Sequence, residues 1–182
     1  PWLAIHVPII MLGYSILALG VVVAHMQVGA TIFAPQRREL IDRMYDLNYW
    51  YTFAGSIFLL AGILTGSMWA ASSWGRYWGW DAKETWALVT ILVYAFILHM
   101  RFIPGLKSEY AFNVASLFGW ATVIMTYFGV NYYLSGLHSY ATGDPAPIPP
   151  SIFYAIITLT VISLLAFWRN RQYGKSLSKA TS

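Results

Sequence analysis

The chain of 182 residues has no cysteine, and only 10% of its positions are charged. The first absence excludes a disulfide framework, a thiolate metal site and any thiol chemistry supplied by the chain itself. The second excludes a soluble domain, which carries about a quarter charged residues to face water. A disordered chain is excluded by the apolar content, 58% of positions. With so little charge, no nucleic-acid partner is expected. There is no signal-peptide pattern, and the first residue is Pro1, so the chain is expected to be part of a longer protein. No internal repeat is visible.

What the chain has in abundance is aromatic: 9 Trp, 13 Tyr and 10 Phe, against 11 Lys and Arg and 7 Asp and Glu. A membrane-spanning helix needs roughly 20 mostly apolar residues. Five stretches qualify, at about 7–30, 50–70, 84–101, 110–134 and 151–168. The fold class expected is therefore all-α, a polytopic transmembrane bundle. Arg37, Arg38 and Arg43 follow the first span, Arg101 and Lys107 the third, and Arg169, Arg171, Lys175 and Lys179 the fifth. Nine of eleven basic residues thus share one side, which the positive-inside rule makes cytoplasmic. The N-terminus is expected outside and the C-terminus inside.

The expected organisation is a membrane domain over 1–168, with outer loops at about 70–83 and 135–150, and a basic cytoplasmic tail at 169–182. Proline keeps 141–150 out of helix, and the tail after Gly174 is expected to be exposed and frayed. In the second span Gly62 and Gly66 form a GxxxG step, expected to serve close helix packing.

The two remaining cations, Arg76 and Lys83, lie in the loop between spans two and three. Four of the nine Trp residues fall there within thirteen positions, in Trp74-Gly75-Arg76-Tyr77-Trp78-Gly79-Trp80-Asp81-Ala82-Lys83-Glu84-Thr85-Trp86. An interfacial aromatic belt and a helix-capping box of Asp81 with Glu84 explain part of this. They leave the two glycines and the two cations unexplained. Flat apolar surface, glycine for close approach and a nearby cation suit a planar, largely apolar ligand bearing carboxylates. Heme fits that description.

Ionisable residues at membrane spans mark function by default. His6 and His138 both lie at the level of the tryptophan-rich loop, one on each side of it in sequence. His99 lies roughly 24 Å deeper than Lys83, and His25 roughly 28 Å deeper than His6, at 1.5 Å per residue. Two imidazoles on opposite faces of an iron porphyrin make a bis-histidine site, and His6 and His138 are the candidate pair. His25 reads as a packing residue.

The thirteen-residue run resembles the tryptophan-rich WWD signature of heme-handling proteins. Its continuation Lys83-Glu84-Thr85-Trp86-Ala87-Leu88, with His99-Met100-Arg101 further on, is similar to the CcsA (ResC) branch of system II cytochrome c biogenesis. The resemblance runs from about His6 to Pro150. It implies a multi-pass component of a holocytochrome c synthase (cytochrome c heme lyase), working with a CcsB (ResB) partner that is sometimes fused upstream. Heme b would be presented at the outer face and attached to the Cys-x-x-Cys-His motif of apocytochrome c. The location implied is the bacterial inner membrane, or the thylakoid membrane for a plastid chain. The family's two external histidines fall on His6 and His138, and its transmembrane histidine falls on His99. His25 matches no family position and could touch an inner heme.

The expected platform is Trp74, Gly75, Trp78, Gly79, Trp80, Asp81 and Trp86, with Arg76 or Lys83 pairing with a propionate. Asp81 is expected to hold the loop against the helix start rather than act as an acid or base. Three other functions suit parts of the pattern. One is a heme exporter that delivers to a chaperone without ligation. Another is a diheme electron carrier resembling a cytochrome b, and the last is a scaffold whose tryptophans are only a belt.

Overall fold

The computed structural model describes residues 1–138 and 147–180. The expected outer loop at 135–150 therefore falls partly outside the described residues, as do residues 181–182 of the tail. All regular structure among the described residues is helical. The elements are α1 (Trp2–Phe33), α2 (Arg38–Trp74), α3 (Ala82–His99) with a 3₁₀ turn at Met100–Phe102, α4 (Glu109–Ile124), a π turn at Met125–Gly129, α5 (Val130–Tyr133) and α6 (Pro150–Ala180).

Five segments are long and apolar enough to cross a membrane: Trp2–Phe33, Arg38–Trp74, Ala82–Phe102, Glu109–Tyr133 and Pro150–Ser176. Large apolar side chains such as Leu19, Val22, Leu64, Leu92 and Leu164 face outward. A water-soluble bundle would bury them, and a membrane protein turns them to lipid. The chain is a multi-pass membrane protein.

Two helices run further than the apolar stretches suggest. α2 starts at Arg38, and its first turns carry charge on an exposed surface, with Arg43 bonded to Glu39 at 2.6 Å. α6 runs through Gly174 to Ala180, where fraying was expected. A mid-helix glycine costs only about 1 kcal/mol relative to alanine, and α6 is tied down just before it. Both terminal nitrogens of Arg38 donate to Asn170 Oδ1 at 3.1 Å, and the guanidinium sits 4.9 Å above the Tyr173 ring. Hydropathy marks where lipid is met and is blind to where a helix ends.

The most extensive helix–helix seam joins α1 to α2, and small residues make it possible. A Cβ on Gly13 would lie 3.0 Å from the Leu59 backbone nitrogen, and one on Gly55 would meet the Leu17 side chain at 2.7 Å. At Gly62 it would meet Ile10 Cδ1 at 2.6 Å, so the expected packing role of the GxxxG step holds there. α4 packs on both α1 and α3, and α6 lies along α1.

Buried polar groups lock this arrangement, since apolar packing alone gives little preference between helices in lipid. Asn48 of α2 donates from Nδ2 to Asn113 Oδ1 of α4 at 2.7 Å, and Asn113 Nδ2 donates to the Glu109 carbonyl at 2.9 Å. Thr90 of α3 and Thr126 of the π turn share a hydroxyl–hydroxyl bond of 2.8 Å, and each hydroxyl also reaches the carbonyls of Trp86 and Thr122.

Candidate functional site

The loop of residues 75–81 is folded by its own sequence. Gly75 closes α2 at φ 72°, a left-handed conformation that glycine adopts freely, and its N–H bonds the Ala71 carbonyl at 3.1 Å. α3 then opens with the expected capping box. The Asp81 carboxylate accepts from Lys83 N–H at 3.2 Å, and Glu84 Oε2 accepts from Asp81 N–H at 3.1 Å. The same Glu84 oxygen accepts from Gly79 N–H at 2.7 Å. These two bonds pin the backbone on either side of Trp80, which is held at φ 57°, a conformation rare outside glycine. Arg76 turns back over the loop, 3.6 Å from the other Glu84 oxygen, and packs where a Gly79 side chain would have to be.

Under this loop lies a cleft of about 260 Å³ between α1, the end of α2, the start of α3 and the π turn. His6 enters it from α1, Lys83 from α3, Trp78 from the loop, and His138 from the segment after α5. Its deeper wall is apolar, with Val7, Ile10, Met11 and Ile63. A π turn is a common feature of functional sites because it re-aims side chains. Here it sends both Thr126 and Tyr127 to the cleft wall.

Each histidine is held by its Nδ1. His6 Nδ1–H donates to the Gly62 carbonyl at 2.8 Å, and the ring lies so close on Gly66 that a Cβ there would be 2.8 Å from its Cε1. The GxxxG step therefore seats a histidine as well as a helix. His138 Nδ1–H donates to Asp81 Oδ2 at 2.7 Å. The Trp74 ring stands edge-on to His138 at 4.9 Å, with Trp69 at 5.7 Å. In both cases Nδ1 carries a proton, because a carbonyl or a carboxylate can only accept. In the neutral form of each ring Nε2 is then the atom with the lone pair that a metal-ligating imidazole requires.

Asp81 also accepts from Leu137 N–H at 2.7 Å. Burial pushes its carboxyl pKa upward, but the bonds from His138, Leu137 and Lys83 outweigh that and leave it below the ordinary 3.8. It is an anion at neutral pH.

Comparison with known proteins identifies the family. The profile described as "Cytochrome C assembly protein" matches residues 1–138, well over half the chain. The chain belongs to that family. It is 39% identical over 170 residues to the protein NrfI of Wolinella succinogenes, an alignment covering 91% of the chain and 19% of that protein. It is 36% identical over 169 residues to the cytochrome c biogenesis protein CcsA of Cuscuta reflexa, covering 78% of the chain and 54% of the relative. For the CcsA of Chlamydomonas reinhardtii the identity is 37% over 145 residues, with 76% and 40% covered. The chain thus spans about half or less of the length of these curated relatives.

Every residue lining the cleft falls within the matched region. The structure brings His6, His138, Lys83 and Trp78 together. The other platform candidates stand around the cleft. Trp74 backs His138, and Trp80 is 70% exposed and packs on Trp78 at 5.8 Å. Trp86 is half-buried on α3 and offers its carbonyl to the threonine pair. Gly75 and Gly79 shape the loop, and Arg76 is engaged by Glu84, so Lys83 is the cation that faces the cleft. Its Nζ donates to Asn131 Oδ1 at 3.4 Å and lies 5.8 Å from the Tyr127 ring.

His25 and His99 are exposed and line neither this cleft nor the smaller cavity beside it. Each bonds a carbonyl one turn back on its own helix, Val21 and Ala95. Trp69, Gly66, Tyr14, Thr126 and Tyr127 were not anticipated as site residues. Gly66 had a visible signal in the GxxxG step. The others belong to the cleft through tertiary packing and the π turn.

Proposed function

We propose that the chain is the heme-handling part of a cytochrome c biogenesis protein, with heme b as the substrate presented in the cleft between His6 and His138. The observation that carries this is the pair of imidazoles delivered to one cleft from α1 and from the segment after α5, each held by its Nδ1, which leaves Nε2 as the candidate ligating atom. The chemistry of the cleft fits a porphyrin. Imidazole nitrogens suit iron, the apolar wall suits the ring, and Lys83 suits a propionate. The face carrying the cleft is the outer one by the positive-inside rule, since the basic residues gather at the other end.

In this reading the protein works with a CcsB-type partner and a Cys-x-x-Cys-His apocytochrome c. Two substrate thiols add across the two heme vinyl groups. Each sulfur bonds one vinyl carbon and the thiol hydrogen goes to the other, so no oxidant is consumed. No cysteine of this chain takes part. The residues described here contribute position: they hold the substrate beside the incoming thiols and exclude competing orientations. His99 is assigned the earlier, membrane-level contact with heme, and His25 no role.

The test replaces His6 or His138 with Gly in the full-length protein and records the heme spectrum with and without added imidazole. Loss of the bis-imidazole signal, restored by imidazole, is expected. An unchanged spectrum with undiminished cytochrome c assembly in both variants would end the proposal. His99→Gly should lower loading of the cleft, and normal loading in that variant would remove His99 from the route.

A further inference from the structure

The two candidate ligands are held by chemically different groups. His6 leans on a neutral carbonyl, that of Gly62, and sits on a long regular helix that already fixes its direction. His138 leans on a carboxylate and sits beyond the end of α5, where the backbone turns extended at Leu134. Helical geometry does nothing to aim its ring. What does is Asp81, whose buried carboxylate is gripped by Lys83 N–H and Leu137 N–H as well as by His138. Gly136 lies so close to Asp81 Oδ1 that a side chain there would overlap it, which lets the segment approach. The Trp69 and Trp74 rings pack against His138 as well.

We propose that Asp81 is the positioning residue of the cleft, aiming the Nε2 of His138 and making it the more electron-rich of the two ligands. This rests on the heme reading of the cleft given above. A carboxylate behind an imidazole N–H fixes the tautomer and raises the basicity of the opposite nitrogen. The His138 ring therefore acquires imidazolate character that His6 lacks. Such a donor favours ferric over ferrous iron, so Asp81 sets the potential of the bound substrate downward. One side chain thus does two jobs. It caps α3, and through that cap it joins the tryptophan loop to the segment bearing His138.

Asparagine separates the two jobs, because it is as good a helix N-cap as aspartate but carries no charge. The experiment uses the full-length protein with its heme, comparing wild type, Asp81→Asn, Asp81→Ala and His138→Ala. Asp81→Asn should keep the low-spin bis-imidazole spectrum while its midpoint potential moves positive. Asp81→Ala should lose heme affinity by about 10–100-fold, the usual effect of removing such a partner, and imidazole should restore its spectrum. A wild-type potential in Asp81→Asn would overturn the proposal whether or not Asp81→Ala folds, leaving Asp81 as a cap alone. A wild-type spectrum in His138→Ala would overturn the heme reading itself, and the inference with it.

Discussion

The four histidines divide between the two ends of the bundle, and the two pairs differ in burial and in whether another element holds them. At the loop end, His6 and His138 are partly buried, come from separate elements and bond across to Gly62 and Asp81. At the basic end, His25 and His99 are exposed and each bonds only to its own helix. A histidine that satisfies itself within one turn needs no neighbour to stay in place. One that depends on another element fixes that element too, and so helps to build a site with defined geometry.

The largest effect expected follows directly. His6→Ala or His138→Ala should cut holocytochrome c formation by at least about 100-fold, beyond the 10–100-fold typical of losing a supporting partner. His25→Ala should stay within about twofold. Quantifying heme-stained cytochrome c against immunodetected apoprotein gives both numbers. A fall in His25→Ala matching that in His138→Ala would dissolve the contrast between the two ends.

The second effect concerns the seat of His6. Gly66→Val places a branched side chain where a Cβ alone already reaches the ring, and heme occupancy should drop at least about tenfold, or 1.4 kcal/mol. Gly29→Val is the control on α1, since nothing lies within 4 Å of its Cβ position. It should leave occupancy unchanged. Equal losses in the two variants would mean that helix integrity, and not the seat, was being measured.

The third separates the two cations of the loop. Lys83→Met removes the charge that faces the cleft and should weaken binding of a dicarboxylate porphyrin about tenfold, or about 1.4 kcal/mol, just under the 1.5–3 kcal/mol typical of a charge-assisted bond. It should leave the affinity for the dimethyl ester nearly unchanged. Arg76→Met, whose partner is Glu84, should change both affinities alike and by less. Competitive binding of the two porphyrins to the same purified variants decides between them. A loss of discrimination in Arg76→Met instead of Lys83→Met would exchange their roles.

How much of this was legible in the residues varies with the range of the interaction. The five spans were readable because lipid demands an apolar run wherever a helix crosses it, and the Asp81–Glu84 capping box because both partners lie within one turn. The convergence of His6 with Gly62 and Gly66 was not readable, since it depends on the register between α1 and α2. Trp74 and Trp80 are indistinguishable by type from Trp78, yet only Trp78 among them lines the cleft. Trp74 closes α2 and packs on His138, while Trp80 sits in a left-handed turn that Glu84 holds from five residues beyond Gly79. The bond from His138 to Asp81 joins residues 57 positions apart, and no local pattern encodes it. The length of α6 was not readable either, because its turns before Gly174 are anchored by Arg38 on a distant helix.

That anchor supplies the smallest effect and the most direct control on the contrast between the ends. Asn170→Leu removes the acceptor of both Arg38 bonds and leaves the Arg38–Tyr173 stacking in place. The pair is only partly buried, so the loss should be about 1 kcal/mol or less, the range of a single polar contact between membrane helices. Thermal unfolding in detergent should show a shift of a few degrees at most. Heme occupancy and the porphyrin discrimination set by Lys83 should not move, because among the described residues none from α6 lines the cleft. If Asn170→Leu lowered heme occupancy as far as Gly66→Val does, the two ends could not be independent. Packing of α6 along α1, the helix that carries His6, would then be the path by which the basic end reaches the site.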